Sequence, residues 1–152
     1  MTTNKFIVER TVVGEDNTAL GASYGDVTGL NWYGKAGEVY KFKATVVYDV
    51  SATTEGASFA ISGPAKTVCS YVSTVPSGAT PTTSFANDYD LPAAAASDSA
   101  FTTDNVAIIE GVVSPSADGT ISVRGIKSGG TVTVQGASSV LTWSRVDWPV
   151  DA

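Results

Sequence analysis

An all-β fold, an antiparallel jelly-roll sandwich of about nine strands, is what this sequence predicts, and three observations predict it. Val, Thr, Ala, Ser and Gly supply 20, 19, 19, 17 and 15 of the 152 residues, a mixture of β-branched and small types that favours pleated strands and tight turns over helices. Apolar residues recur at period two over short runs. Those runs are bounded by Gly, Pro, Asn, Asp and Ser clusters at the spacing of a sandwich or jelly roll. A chain of this length is one domain's worth; it buries about two-thirds of its unfolded surface and needs neither a metal nor a disulfide to fold.

Residues 6–13 and 19–30 are the first strand candidates, separated by the turn residues Gly14-Glu15-Asp16-Asn17. Over residues 38–48, Tyr40, Phe42, Ala44, Val46 and Tyr48 alternate with Lys41, Lys43 and Thr45, the pattern of a half-buried strand. Connecting loops flank it at Gly34-Lys35-Ala36-Gly37 and Ser51-Ala52-Thr53-Thr54-Glu55-Gly56. Ala57, Phe59 and Ile61 form the next run, stopped at Ser62-Gly63-Pro64, where Pro64 has no donor to continue a ladder. Residues 67–72 are expected as its return strand.

The carboxy-terminal third is more regular. Residues 105–113 carry Val106, Ile108 and Val112 on one parity and Ala107, Ile109 and Val113 on the other, which predicts a central strand buried on both faces. Ser116-Ala117-Asp118-Gly119 is an Asp-Gly hairpin signal leading into residues 120–126. Ser128-Gly129-Gly130 and Gly136-Ala137 separate two further runs, 131–135 and 139–146. Three consecutive hairpins, a meander, are expected here.

Residues 73–103 hold Pro76, Pro81, Pro92 and four consecutive alanines at 93–96. Their length exceeds what a compact domain gives to a structureless loop, so they form either an ordered surface excursion or a contact with a partner. Phe85, Tyr89 and Phe101 argue for packing. Pro92 suits the first position of a helical turn.

Charge and composition exclude most chemistry. With no His and one Cys, the chain has no His-based triad, His-rich metal site, CxxC pair or intrachain disulfide. Nine basic against 15 acidic residues, net −6, give no field that gathers phosphates, so nucleic acid is not expected as a partner. No run of 18 apolar residues predicts a membrane span, and residues 1–10 lack the cationic start and apolar core of a secretory leader. Synthesis in a reducing cytoplasm is expected.

Asp88 and Asp90, either side of Tyr89, are the nearest approach to a paired-carboxylate site. They would hold Ca2+ or serve as a glycosidase pair if a third carboxylate converged, and are otherwise a solvated acidic loop. Glu110, inside the most apolar strand, needs a partner such as Arg124 or Lys43 if buried. Cys69 reads as a small core residue with no His to activate it. Trp32, Tyr33, Trp143 and Trp148 are either a sugar-stacking platform or core and interface aromatics. No catalytic residue, metal site or cofactor is expected.

The order of motifs carries one further indication. Asp26-Val-Thr-Gly-Leu30, Gly37-Glu-Val-Tyr-Lys-Phe-Lys-Ala-Thr-Val-Val-Tyr48, Ala52-Thr-Thr-Glu-Gly56, Phe59-Ala-Ile-Ser-Gly-Pro64, Val106-Ala-Ile-Ile-Glu-Gly111 and Val132-Thr-Val-Gln-Gly-Ala-Ser-Ser-Val140 together resemble a β domain of tailed-bacteriophage virion proteins. That group includes head-decoration proteins, head fibres and tail-fibre tips, and its domain is similar to the trimeric jelly rolls of the tumour necrosis factor type. The resemblance divides the chain into an arm and first strand (1–25), the jelly-roll domain (26–146) with its 73–103 excursion, and a short tail (147–152). It implies a homotrimer around a three-fold axis, with Tyr40, Phe42 and Tyr48 facing that axis.

The short flanks on either side of the domain favour a capsid decoration (cement) protein over a fibre tip. Its partners would be copies of itself and the major capsid protein. It would be made in the host cytoplasm and carried on the capsid exterior of the virion, there stabilising the head. The expected capsid contact is the amino-terminal arm: Lys5 and Arg10 meet carboxylates, and Phe6, Ile7 and Val8 add to a capsid-protein strand, unless residues 6–13 are simply the domain's first strand. The alternative role is a tail-fibre tip or receptor- or glycan-binding module using Trp32, Tyr33 or the loop around Asp88 and Asp90.

Overall fold

Alternation along one strand organises the whole molecule. The computed structural model describes residues 6–147, and of residues 6–8 and 146–147 the backbone alone. Strands β1 (Phe6–Val13), β2 (Thr18–Ala19), β3 (Gly25–Gly34) and β4 (Tyr40–Val50) are followed by β5 (Ala57–Ser62), β6 (Lys66–Ser77) and β7 (Thr80–Ala86). Then come β8 (Asn105–Pro115), β9 (Gly119–Lys127), β10 (Val132–Val134) and β11 (Val140–Asp147). In β4 every second residue from Tyr40 to Val50 is buried while Lys41 and Lys43 point to solvent, as a period-two strand with one solvated face requires.

Two antiparallel sheets result. The larger runs β1-β11-β4-β8-β6-β7, with β10 and β2 attached through β4; the smaller runs β3-β9-β5. The pairings nest, β1 with β11, β3 with β9 and β4 with β8, so the chain is rolled up like one long hairpin, the jelly-roll arrangement. Between the layers lie Tyr40, Phe42, Val46, Tyr48, Ile109 and Leu141 of the large sheet and Leu30, Trp32, Phe59, Ile61, Ile121 and Val123 of the small one.

The nesting overturns the expected meander. Asp118-Gly119 does not close a hairpin: β8 belongs to the large sheet and β9 to the small one. Residues 67–72 likewise do not return beside β5, because the chain changes sheets at Ser62-Gly63-Pro64 and β6 pairs with β8. Among the described strands only β6 and β7 are chain neighbours that pair with each other. Turn residues serve an arch between sheets as well as a hairpin, and local chemistry does not distinguish the two. Asp118 shows the difference, its carboxylate accepting from the Ala36 amide at 2.8 Å and so tying one arch to another.

The 73–103 excursion is ordered. Its first half completes the β6–β7 hairpin, and its second half, residues 87–104, crosses the small sheet as a strap. The Asp90 amide donates to the Ile61 carbonyl at 3.1 Å, and Tyr89 Oη donates to the Pro64 carbonyl at 2.9 Å. Tyr71 Oη donates to the Leu91 carbonyl at 2.8 Å, and the Ala96 amide to Ser58 Oγ at 3.0 Å. Closing the edge of β5 in this way removes an aggregation-prone row of unpaired groups. Pro92 opens no helical turn; it follows a cis peptide bond in a segment of bends.

Gly111 sits in register between Phe42 on β4 and Tyr71 on β6, whose rings approach to 6.2 Å across it. A methyl added at Gly111 would drive into the Ser70 carbonyl oxygen and the Tyr71 backbone. Gly111→Ala is therefore expected to cost about 1–3 kcal/mol, measured by urea unfolding. Gly129→Ala, where the added atom meets nothing within 4 Å, is expected to leave the midpoint unchanged.

Candidate interaction surfaces

The outward face of the large sheet is open. Its residues form rows across the strands: Glu9, Ser144, Lys41, Val112 and Ser70 in one, Thr11, Thr142, Lys43, Glu110, Val72 and Phe85 in the next. A third row runs Val13, Val140, Thr45, Ile108, Thr74 and Thr83. Phe85 is 85% exposed, Val106 45% and Ile108 36%. No described segment of the chain lies over them. An open groove of about 540 Å³ runs along Glu9, Lys41, Lys43, Glu110 and Val112, and a second of about 420 Å³ continues beyond Glu110 to Val72 and Phe85.

This face corrects the expectation that residues 105–113 are buried on both sides. The strand is central, hydrogen-bonded by β4 and β6, but only Asn105, Ala107, Ile109 and Val113 are buried, while Val106, Ile108 and Glu110 are exposed. An apolar run records that both faces are hydrophobic, not that both are covered. Glu110 accordingly needs no buried partner; it stands in register with Lys43 on the open face.

The proposed three-fold contact is also corrected. Tyr40, Phe42 and Tyr48 are 2%, 2% and 0% exposed within a single copy. Tyr40 and Phe42 pack on Trp32 and Tyr48 on Phe59, so they have no surface to offer a neighbour. Trp32 also stacks on Trp143, centroids 5.8 Å apart and planes 13° from parallel, which removes both from any sugar platform. Trp148 lies outside the described residues.

Of the expected capsid contact, Lys5 lies outside the described residues, as do the side chains of Phe6, Ile7 and Val8. The backbone of β1 pairs along its length with β11, leaving its other edge as one border of the large sheet. Arg10 is exposed there.

Asp88 and Asp90 do not form a pair. Asp88 meets Lys66 at 2.6 Å, and that hydrogen bond, with the Tyr89 amide, holds its carboxyl below the usual range. Asp90 takes Nη1 of Arg124 at 2.6 Å. Arg124 also contacts Asp26 at 3.2 Å and donates from Nη2 to the Tyr24 carbonyl at 2.7 Å. This clamp joins the strap to β3 and β9, and the sequence reading did not foresee it. Its one visible signal is an arginine on the same face of β9 as the short hydroxyl residues Thr120 and Ser122. Cys69, on β6, is buried, and burial pushes its thiol up to about 11.

No protein-family model matches the chain, and no curated protein matches it. Among solved structures it is similar to the VP2 subviral particle of infectious bursal disease virus, at 10% identity and a TM-score of 0.42 over 93% of this chain and 39% of that one. It is similar also to that virus's Gt strain structure (10% identity, TM-score 0.24, 93% of this chain and 42% of that one). The Gx strain structure follows (11% identity, TM-score 0.25, 95% and 40%). The chain spans about two fifths of the length of these chains.

Asp90→Asn is expected to cost about 1–2 kcal/mol, a buried-pair loss reduced by partial exposure, and to open residues 87–104 to limited proteolysis; Asp88→Asn leaves both unchanged. Cys69 is expected to resist thiol reagents until the protein is unfolded. Because burial raises the folded thiol above its ordinary value of 9.0, its contribution is complete below pH 9 and lost as pH rises towards 11, a decline that urea midpoints will show and that Cys69→Ala reduces between pH 9 and 10, while the loss from the buried tyrosines above pH 10 remains.

Proposed function

We propose that this chain is a non-enzymatic structural protein of a virion: a decoration protein that binds the outside of a bacteriophage head as a homotrimer and stabilises it. The observation that carries the reading is the open outward face of the large sheet, where exposed apolar side chains stand among hydroxyl and charged ones. Val106, Ile108, Phe85 and Val13 are exposed there on strands hydrogen-bonded on the scale of the whole molecule. Copies that bury this face against one another remove it from water, and the Lys and Glu residues among the apolar ones fix the mutual orientation.

The motif order that resembles phage virion β domains supports placement on a head. The outer border of β1 supports a capsid contact, since an edge strand with one unpaired side accepts a strand from a partner. Arg10 marks that border, with Lys5, Phe6, Ile7 and Val8 continuing towards the chain start. Three linked borders make each later contact effectively intramolecular, so individually modest contacts hold the assembly.

Light scattering is expected to give a trimer mass at micromolar concentration, and Val106→Lys with Ile108→Lys a monomer of unchanged circular dichroism. The double variant Lys5→Glu, Arg10→Glu is expected to remain trimeric yet co-sediment with undecorated capsids at least tenfold more weakly, about 1.4 kcal/mol. A monomeric wild type defeats the trimer; binding to bacterial cells but not to capsids moves the role to receptor recognition.

A further inference from the structure

The opposite surface, the outward face of the small sheet, has a different chemistry. Asn31 on β3, Ser122 on β9 and Ser62 on β5 stand in one register row, with Tyr33 and Thr120 paired beside them. Asp26, Ser62, Gly63, Thr120, Ser122 and Arg124 line a depression of about 450 Å³ there, within the range of small-ligand sites, roughly 300–1,000 Å³. Its side chains are short hydroxyls, one carboxylate and one guanidinium. Gly63 is tightly enclosed: an added Cβ would lie 3.0 Å from Tyr89 Oη and 3.1 Å from Ile121 Cγ1, so a larger residue has to displace one of them.

We infer that this depression binds a neutral pyranose sugar, as a free saccharide or as a unit of a surface glycan. Its polar groups are held before any ligand arrives: Arg124 is fixed by Asp26, Asp90 and the Tyr24 carbonyl, so ordering it costs little on binding. Asp26, 69% exposed at its side chain, has free acceptor capacity for a pair of hydroxyls. Ser62, Ser122 and Thr120 each both donate and accept, which suits a ligand whose own groups do the same. Tyr33, more than half exposed and in register with Thr120, is the neighbouring aromatic; Lys35 Nζ lies 5.2 Å from its ring centroid, so the C–H face of a sugar would stack on the side of the ring away from that ammonium.

Other ligand classes fit less well. Arg124 faces two carboxylates, so an anionic group gains no uncompensated cation and meets a local excess of negative charge. The guanidinium between those carboxylates opposes a metal ion. An apolar ligand finds no apolar lining.

The test is protein-observed NMR titration of the full chain with the methyl glycosides of glucose, galactose and mannose, and with glucuronate and inorganic sulfate as anionic probes. At least one neutral glycoside is expected to shift the amides of Asn31, Tyr33, Ser62 and Ser122 saturably, with millimolar affinity. Thr120→Leu, at an exposed position, is expected to weaken that binding at least fivefold without changing the remaining spectrum, and Asp26→Asn to weaken it as much while also shifting the amides around Arg124, which Asp26 helps to hold. Ile108→Lys, on the other sheet, leaves it unchanged. A matched neutral polysaccharide then separates the sources: tighter binding than the glycoside assigns the site to a glycan chain, equal binding to a single sugar. Absence of saturable shifts with every neutral probe, preference for either anion, or indifference to both variants overturns the inference. None of these readouts depends on trimer formation or capsid binding.

Discussion

Everything in this fold depends on the inward row of β4. That strand is hydrogen-bonded to β11, β8 and β10, and its alternate residues Tyr40, Phe42, Ala44, Val46, Tyr48 and Val50 are all buried. Aromatic rings at three of these positions set the separation of the two sheets and dictate what can face them: Trp32 opposite Tyr40 and Phe42, and Phe59 opposite Tyr48. Such pairs contribute about 0.5–1.5 kcal/mol each beyond the area they bury. Next to that row position 111 must be glycine, because the Ser70 carbonyl oxygen and Tyr71 Cα and Cβ take the space where a side chain would begin.

A three-stranded sheet cannot cover the inner face of an eight-stranded one, and the strap of residues 87–104 makes up the difference, with Tyr89, Leu91 and Ala96 packed against the core. It buries the outer side of β5, whose first five residues are all buried, and it is fixed by hydrogen bonds from both sheets. Tyr71 of the large sheet and Tyr24 beside the small one each donate to a carbonyl of the Leu91-Pro92 pair. Burial raises the hydroxyls of both, Tyr71 to about 12 and Tyr24 further, so both remain donors across the physiological range. Arg124 then fastens Asp90 to β9 and β3.

How much of this could be read from the chain follows from the range of each signal. Alternation is local, so the strand at residues 38–48 and the all-β class were legible from Tyr40, Phe42 and their neighbours. The partner of each strand is not local. Asp118-Gly119 has hairpin chemistry but spans two sheets, and Ser62-Gly63-Pro64 does likewise. Burial of a second face is a property of what lies above it, which is why Val106 and Ile108 looked internal and are exposed. For the same reason Tyr40, Phe42 and Tyr48, apolar enough for an interface, were already used by the core of their own copy. The Asp88 and Asp90 pair illustrates the remaining limit: adjacent on the chain, their carboxylates are drawn apart by Lys66 and Arg124.

The two outward faces impose opposite demands, and the order of the strands reconciles them. On the large sheet, branched apolar residues at Val106 and Ile108 lose hydration cost only when a partner covers them. On the small sheet, Ser122, Thr120 and Ser62 already satisfy the pleat with hydroxyls and gain nothing from apolar contact. Because the sheets are back to back, an assembly that covers the first face leaves the second pointing away from it. The self-association and the sugar binding proposed above would therefore not compete for surface.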